Sequence, residues 1–127
     1  MSGPDKNFKR GFEARVRMFG LQKTEAALAQ TGACSLPFQQ LMTANCFGML
    51  WADDVISQRD RSLITMCLLA AMGKAAELKA HVILAIANGV ETDVLVEMVK
   101  HVAVYCGIPS GSLASAVVQE VLNEHAS

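Results

Sequence analysis

The sequence predicts an all-α fold, a compact bundle of about six or seven helices in a single domain over residues 1–127. Three observations predict it. Apolar residues recur at three- and four-residue spacing along nearly the whole chain, and no stretch reads as a strand. Glycine, proline and Asn-Gly signals fall at helix-length intervals. The intervening loops are short, with no linker, repeat or low-complexity tract, and 127 residues suit one domain.

The first helix is expected over residues 5–19, with Pro4 near its start and Gly20 as its stop. Phe8, Phe12, Arg15 and Phe19 share one stripe of it. Packing on a neighbouring subunit and packing on the chain's own core both fit that stripe. A short helix over 23–30 follows and ends at Thr31-Gly32. The third, over 37–51, takes Pro37 in its first turn and carries Phe38, Leu41, Met42, Cys46, Met49 and Leu50. Trp51 closes it, either at a pocket mouth or in the core. Ala52-Asp53-Asp54 is a loop.

Ser57 and Asp60 form a capping pair that opens the fourth helix, 58–72. Arg59 and Arg61 stand in its first turn, the end where the macrodipole disfavours a cation. Either they hold an anion there or they pair with Asp60 or Asp54. The fifth helix covers 75–87 and stops at Asn88-Gly89. Thr92 caps a sixth over 93–106, which carries His101. Ser110, after Pro109, caps a seventh over 110–123, and residues 124–127 should fray.

Composition limits what the chain does. Hydrophobic residues make up 52% and charged ones 18%, against about 25% charged in ordinary soluble domains. Mean hydropathy is +0.31. The longest apolar run, Leu63–Met72, is too short for a bilayer, which needs about 20 residues. The apolar excess therefore predicts a homo-oligomer and no membrane span. A net charge of −1 argues against nucleic acid. The first ten residues show no apolar signal-peptide core, so a cytoplasmic protein is expected. The four cysteines lack zinc or C-x-x-C spacing and read as buried, reduced thiols.

The chemistry centres on the run from Arg61 to Gly89. Glu77 and His81 stand at i and i+4 among alanines and aliphatics, on one helix face. A carboxylate so placed fixes one imidazole nitrogen and leaves the other outward. A solvated surface pair is the plain alternative. In a dry pocket, desolvation would lower the His81 pKa and Glu77 would raise it, leaving it near neutrality. No phosphate-cradling loop or Ser-His-Asp arrangement is visible. Glu77, His81 and His101 are too weak a set to imply a metal, so none is expected.

Several segments resemble the carboxymuconolactone decarboxylase family: Arg61–Thr65 (RSLIT), Glu77–His81 (ELKAH), Asn88–Val90 (NGV), His101–Pro109 (HVAVYCGIP) and Phe47–Trp51 (FGMLW), with Gly11, Arg15 and Gly20 in the first helix. The likeness runs from Gly11 to Leu122. It implies an alkylhydroperoxidase D-like all-α fold, assembled as a trimer or hexamer with sites near subunit interfaces. It also implies cofactor-free decarboxylation of γ-carboxymuconolactone, a lactone dicarboxylate, to 3-oxoadipate enol-lactone in aromatic-acid breakdown. On that resemblance His81 transfers the proton, Glu77 orients it, Arg15 and Arg61 bind substrate, and Trp51 joins them. The sequence departs from the family where a glutamate is replaced by Met49 and an Arg-Pro by Asp53-Asp54. A thiol-peroxidase sister branch carries C-x-x-C-x-x-x-H on the corresponding helix, where this chain has Lys74 and Glu77 before His81. A divergent antioxidant member and a silent small-acid-binding oligomer remain as alternatives.

Overall fold

A computed structural model describes residues 3–126. The order is α1 (Gly3–Phe19), α2 (Leu21–Leu28), α3 (Ser35–Met42) continuing into a π-helix (Thr43–Trp51), α4 (Gln58–Ala71), α5 (Ala75–Ala87), α6 (Thr92–Cys106) and α7 (Ile108–Ala126). No strand occurs among the described residues, and no described helix is long and apolar enough to cross a membrane. The helices form two compact units, one ending at Ile56 and one beginning at Ser57.

In the first unit α1 lies along the π-helix at very close range. A Cβ on Gly11 would strike the Thr43 carbonyl oxygen, and one on Gly48 the Asn7 carbonyl oxygen. Only glycine permits that approach of two backbones. The large aromatics of α1 are therefore not its tightest face. Phe8, Phe12 and Phe19 are half-buried, whereas Gly11 and Ala14 are buried.

The expected regular helix over 37–51 is not what forms. It starts at Ser35 and widens at Thr43 into i→i+5 bonding, seen where Ala52 N–H donates to Phe47 O at 2.8 Å. Two features meet at the change. Thr43 Oγ1 donates back to Gln39 O at 2.7 Å, a bond that bends helices. The backbone of α1 also presses on the Thr43 carbonyl. The α1–α2 turn falls at Gly20, whose φ of +93° suits glycine. Thr24 Oγ1 donates to Gly20 O at 2.9 Å and is fully buried, which ties the first turn of α2 to that corner. As a result α2 starts two residues earlier than the spacing suggested.

The second unit is a bundle of α4 to α7 around Met66, Ala70, Leu78, Val82, Ala85, Leu95, Met98, Val102, Ala114 and Val121. Each large member contributes about 1.5–3 kcal/mol by leaving water. Ser57 caps α4 as expected, its Oγ accepting from Asp60 N–H at 3.0 Å. Asn88 Nδ2 donates to the buried Ser62 Oγ at 3.0 Å, joining the end of α5 to α4. Lys79 Nζ reaches Glu120 at 2.9 Å and Glu124 at 3.0 Å, linking α5 to α7.

Three boundaries depart from expectation. Glu91, not Thr92, holds the cap position of α6, without a side-chain bond. The last helix begins at Ile108, directly after Gly107, so Ser110 lies inside it. Pro109 is tolerated there because first-turn N–H groups have no helical partner anyway. The tail is helical to Ala126 instead of frayed, and His125 Nδ1 lies 3.0 Å from Val121 O. The thiols also differ from expectation. All four cysteines are free, but Cys34, Cys46 and Cys106 are exposed and Cys67 half-buried. Cys67 packs at the edge of the second unit's core, and the other three stand at exposed positions.

Candidate active site

His81 stands in the middle of α5, next to the buried Val82 and one turn from the buried Leu78 and Ala85. It is half-buried, and desolvation lowers its pKa from the ordinary 6.5. The other two histidines are exposed: His101 stacks on Tyr105 at 5.1 Å, and His125 bonds the α7 backbone. His81 is thus the one histidine of three drawn out of water.

Glu77 occupies the first turn of α5, on the same face, but it is exposed. The expected balance between carboxylate and desolvation is not found. Burial sets the direction at His81, and the solvated Glu77 charge does not offset it.

The arginines that open α4 take different roles. Arg59 pairs with Glu91 at 3.2 Å and more loosely with Asp60 at 3.7 Å, an ordinary surface cluster. Arg61 is 8% exposed, and its buried Nε has no hydrogen-bond acceptor among the described residues. An N–H donor so placed carries a desolvation cost until an acceptor arrives.

Arg15 and Trp51 belong to the first unit, and Arg61, Glu77 and His81 to the second. Arg15 is held on two sides. Its Nη1 donates to Thr43 Oγ1 at 3.1 Å, and its guanidinium lies 5.0 Å from the centre of the Phe47 ring, a cation–π contact. Phe19 meets Phe47 edge-on at 6.0 Å. Partial burial pulls the Arg15 pKa below the ordinary guanidinium value, without discharging so strong a base. Together Arg15, Phe19, Lys23, Met42 and Phe47 line an open hollow of about 300 Å³. Trp51 is 2% exposed at the end of the π-helix.

Sequence reasoning missed Lys23. The signal was available: a lysine in the first turn of a helix just after a glycine stop, the same misplaced-cation argument that singled out Arg61. A second hollow of about 290 Å³ is lined by Leu63, Cys67, Val94, Glu97, Met98 and His101. Burial raises the Cys67 thiol pKa, as it does that of Cys46 against the opposing pull of Arg15. Activated thiolates need the reverse shift. No group of three or more metal-ligating side chains gathers among the described residues.

Comparison with known proteins places these residues in a family. Residues 37–120 match the model of the carboxymuconolactone decarboxylase family. The chain belongs to that family. The 4-carboxymuconolactone decarboxylase of Acinetobacter baylyi is 28% identical over 120 residues, 94% of this chain and 90% of the relative. The nitrosuccinic acid decarboxylase npaB of Metarhizium robertsii is 34% identical over 117 residues, 92% of this chain and 82% of the relative. The family segment contains Trp51, Arg61, Glu77 and His81, whereas Arg15 and Lys23 precede it.

Proposed function

We propose that this protein decarboxylates a small organic acid without a cofactor, and that the acid is 4-carboxymuconolactone or a related lactone. One observation carries the reading. Inside a segment shared with two decarboxylases, one histidine, His81, is drawn out of water on its helix. A pKa lowered by burial makes its imidazolium a stronger acid, suited to giving a proton to carbon.

The reaction asks little beyond that. The C–C bond to the carboxylate breaks, carbon dioxide leaves, and the electron pair moves through the ring alkene toward the lactone carbonyl. The substrate is its own electron sink. A hydrogen-bond donor steadies the developing oxyanion, and a proton from His81 ends the sequence at carbon. Arg61 in the second unit and Arg15 in the first are each a candidate cation for an acid group. Glu77 keeps a lesser place as a solvated charge one turn before His81 on α5.

The reading includes a homo-oligomer, a trimer or hexamer. Along α4 and its C-cap, Ile64, Leu68 and Met72 are 51%, 58% and 61% exposed, and they recur every fourth residue. Such an apolar stripe fits a second copy of the chain.

The 34% identity to a nitrosuccinic acid decarboxylase supports a second reading, a nitro acid as substrate with the same proton carrier. The test is carbon dioxide release from 4-carboxymuconolactone and from nitrosuccinic acid, each with wild type and His81→Asn. Release from either, lost in the variant, supports decarboxylation through His81 and selects the substrate. Release from neither overturns both readings.

A further inference from the structure

We propose that the hollow at the α1–α2 corner is selective for dicarboxylates, with Arg15 fixing one carboxylate and Lys23 recognising the second. The inference rests on the reading that the protein acts on an organic acid, and it assigns to Lys23 the choice between acids of one and two charges.

The lining has the right chemistry. Two cations, two phenyl rings and a thioether face the hollow, and no acidic side chain is among them. Arg15 is the rigid member. The Thr43 hydroxyl holds one terminal nitrogen and the Phe47 ring lies against the guanidinium. A planar fork restrained in this way suits one carboxylate in a fixed pose.

Lys23 is the adaptable member. A compact ammonium on a four-carbon stem reaches a second carboxylate over a range of separations. Its position has no evident structural purpose. It lies in the first turn of α2, where the helix dipole disfavours a cation, and no acidic residue shares that turn. No ion pair involves it among the described residues. Its backbone is nonetheless well placed, because the adjacent Thr24 is buried and bonded to Gly20 O across the corner. The same corner brings Arg15 of α1 and Lys23 of α2 to one hollow. Phe19, Phe47 and Met42 leave an apolar wall for the carbon frame between the two acid groups. At about 300 Å³ the space is at the small end for ligand sites, as a compact diacid requires.

The experiment uses isophthalate and benzoate, which share a ring and differ by one carboxylate. Calorimetric titration of the full chain should show isophthalate binding at least tenfold more tightly than benzoate. Lys23→Gln should remove that preference by weakening isophthalate about tenfold while benzoate stays within twofold. Lys23→Arg should retain the preference, and Lys9→Gln, an exposed α1 lysine outside the hollow, should leave both affinities unchanged. Arg15→Gln, with its helicity checked by circular dichroism, should weaken both acids. Equal affinity of the two acids for wild type overturns the inference. So does an equal loss of both in Lys23→Gln, or no loss of isophthalate in that variant. Binding selectivity is read without turnover. A chain that selects isophthalate but releases no carbon dioxide therefore overturns the decarboxylase reading and not this one.

Discussion

Arg15 Nη1 donates to Thr43 Oγ1 at 3.1 Å, and that same hydroxyl donates onward to Gln39 O at 2.7 Å. One threonine therefore both aims the guanidinium and sits where α3 passes into the π-helix. Thr43→Val keeps the shape and removes both bonds. It should destabilise the protein by about 1–3 kcal/mol, because one of the lost bonds is to a charged group. Isophthalate affinity should fall several-fold. Urea unfolding and calorimetric titration check the two effects.

Gly11 meets the Thr43 carbonyl where no Cβ fits. The obstruction is backbone, which cannot swing aside as a side chain does. Gly11→Ala should therefore cost about 1–3 kcal/mol or more through overpacking, despite the higher helix propensity of alanine. Glu13→Ala, at an exposed position of the same helix, should change stability by less than about 0.5 kcal/mol. Thermal melts of the two variants check the contrast.

The sequence announced the helices through periodicity and stop signals, and the Ser57 cap was legible residue by residue. It did not announce the π-helix, because Thr43–Trp51 is spaced like any α-helix. The widening comes from a tertiary contact between two glycines and two carbonyls, which no local pattern records. His81 and Arg61 were legible as polar residues placed against the apolar or dipolar logic of their helices. The weakness of the Glu77 contribution was not, since i,i+4 spacing fixes a shared face but not its exposure. Lys23 was legible by the argument applied to Arg61, but it needed the Gly20 corner to gain a purpose.

Desolvation holds the His81 pKa below its ordinary 6.5. Between the lowered value and 6.5 the unfolded chain binds more protons at this residue than the folded one, so stability rises with pH across that window. Above 6.5 the contribution is flat. Acidification from pH 7 through the lowered pKa should therefore lower the urea midpoint, and His81→Gln should reduce that loss. Urea titrations at half-unit steps from pH 7.5 to 5 check the slope.

Ile64, Leu68 and the C-cap residue Met72 give α4 one exposed apolar stripe. If copies of the chain associate through it, Leu68→Glu places a charge in the contact and should shift the mass in solution toward the monomer. Helicity should stay unchanged, since Leu68 lies outside the core of its unit. Light scattering coupled to size exclusion reads the mass, and a wild type that runs as a monomer contradicts the assignment.

The pH dependence of kcat/KM for decarboxylation reports the free enzyme's essential acid, and it tests the role of His81 most directly. The expected profile with 4-carboxymuconolactone falls as pH rises through an inflection below 6.5. His81→Asn should lower the rate about 10²–10⁴-fold, the usual worth of a positioned acid, and erase the inflection. Glu77→Gln should keep the inflection and lose less than about tenfold. A His81→Asn variant that retains both the wild-type rate and the inflection would contradict the account.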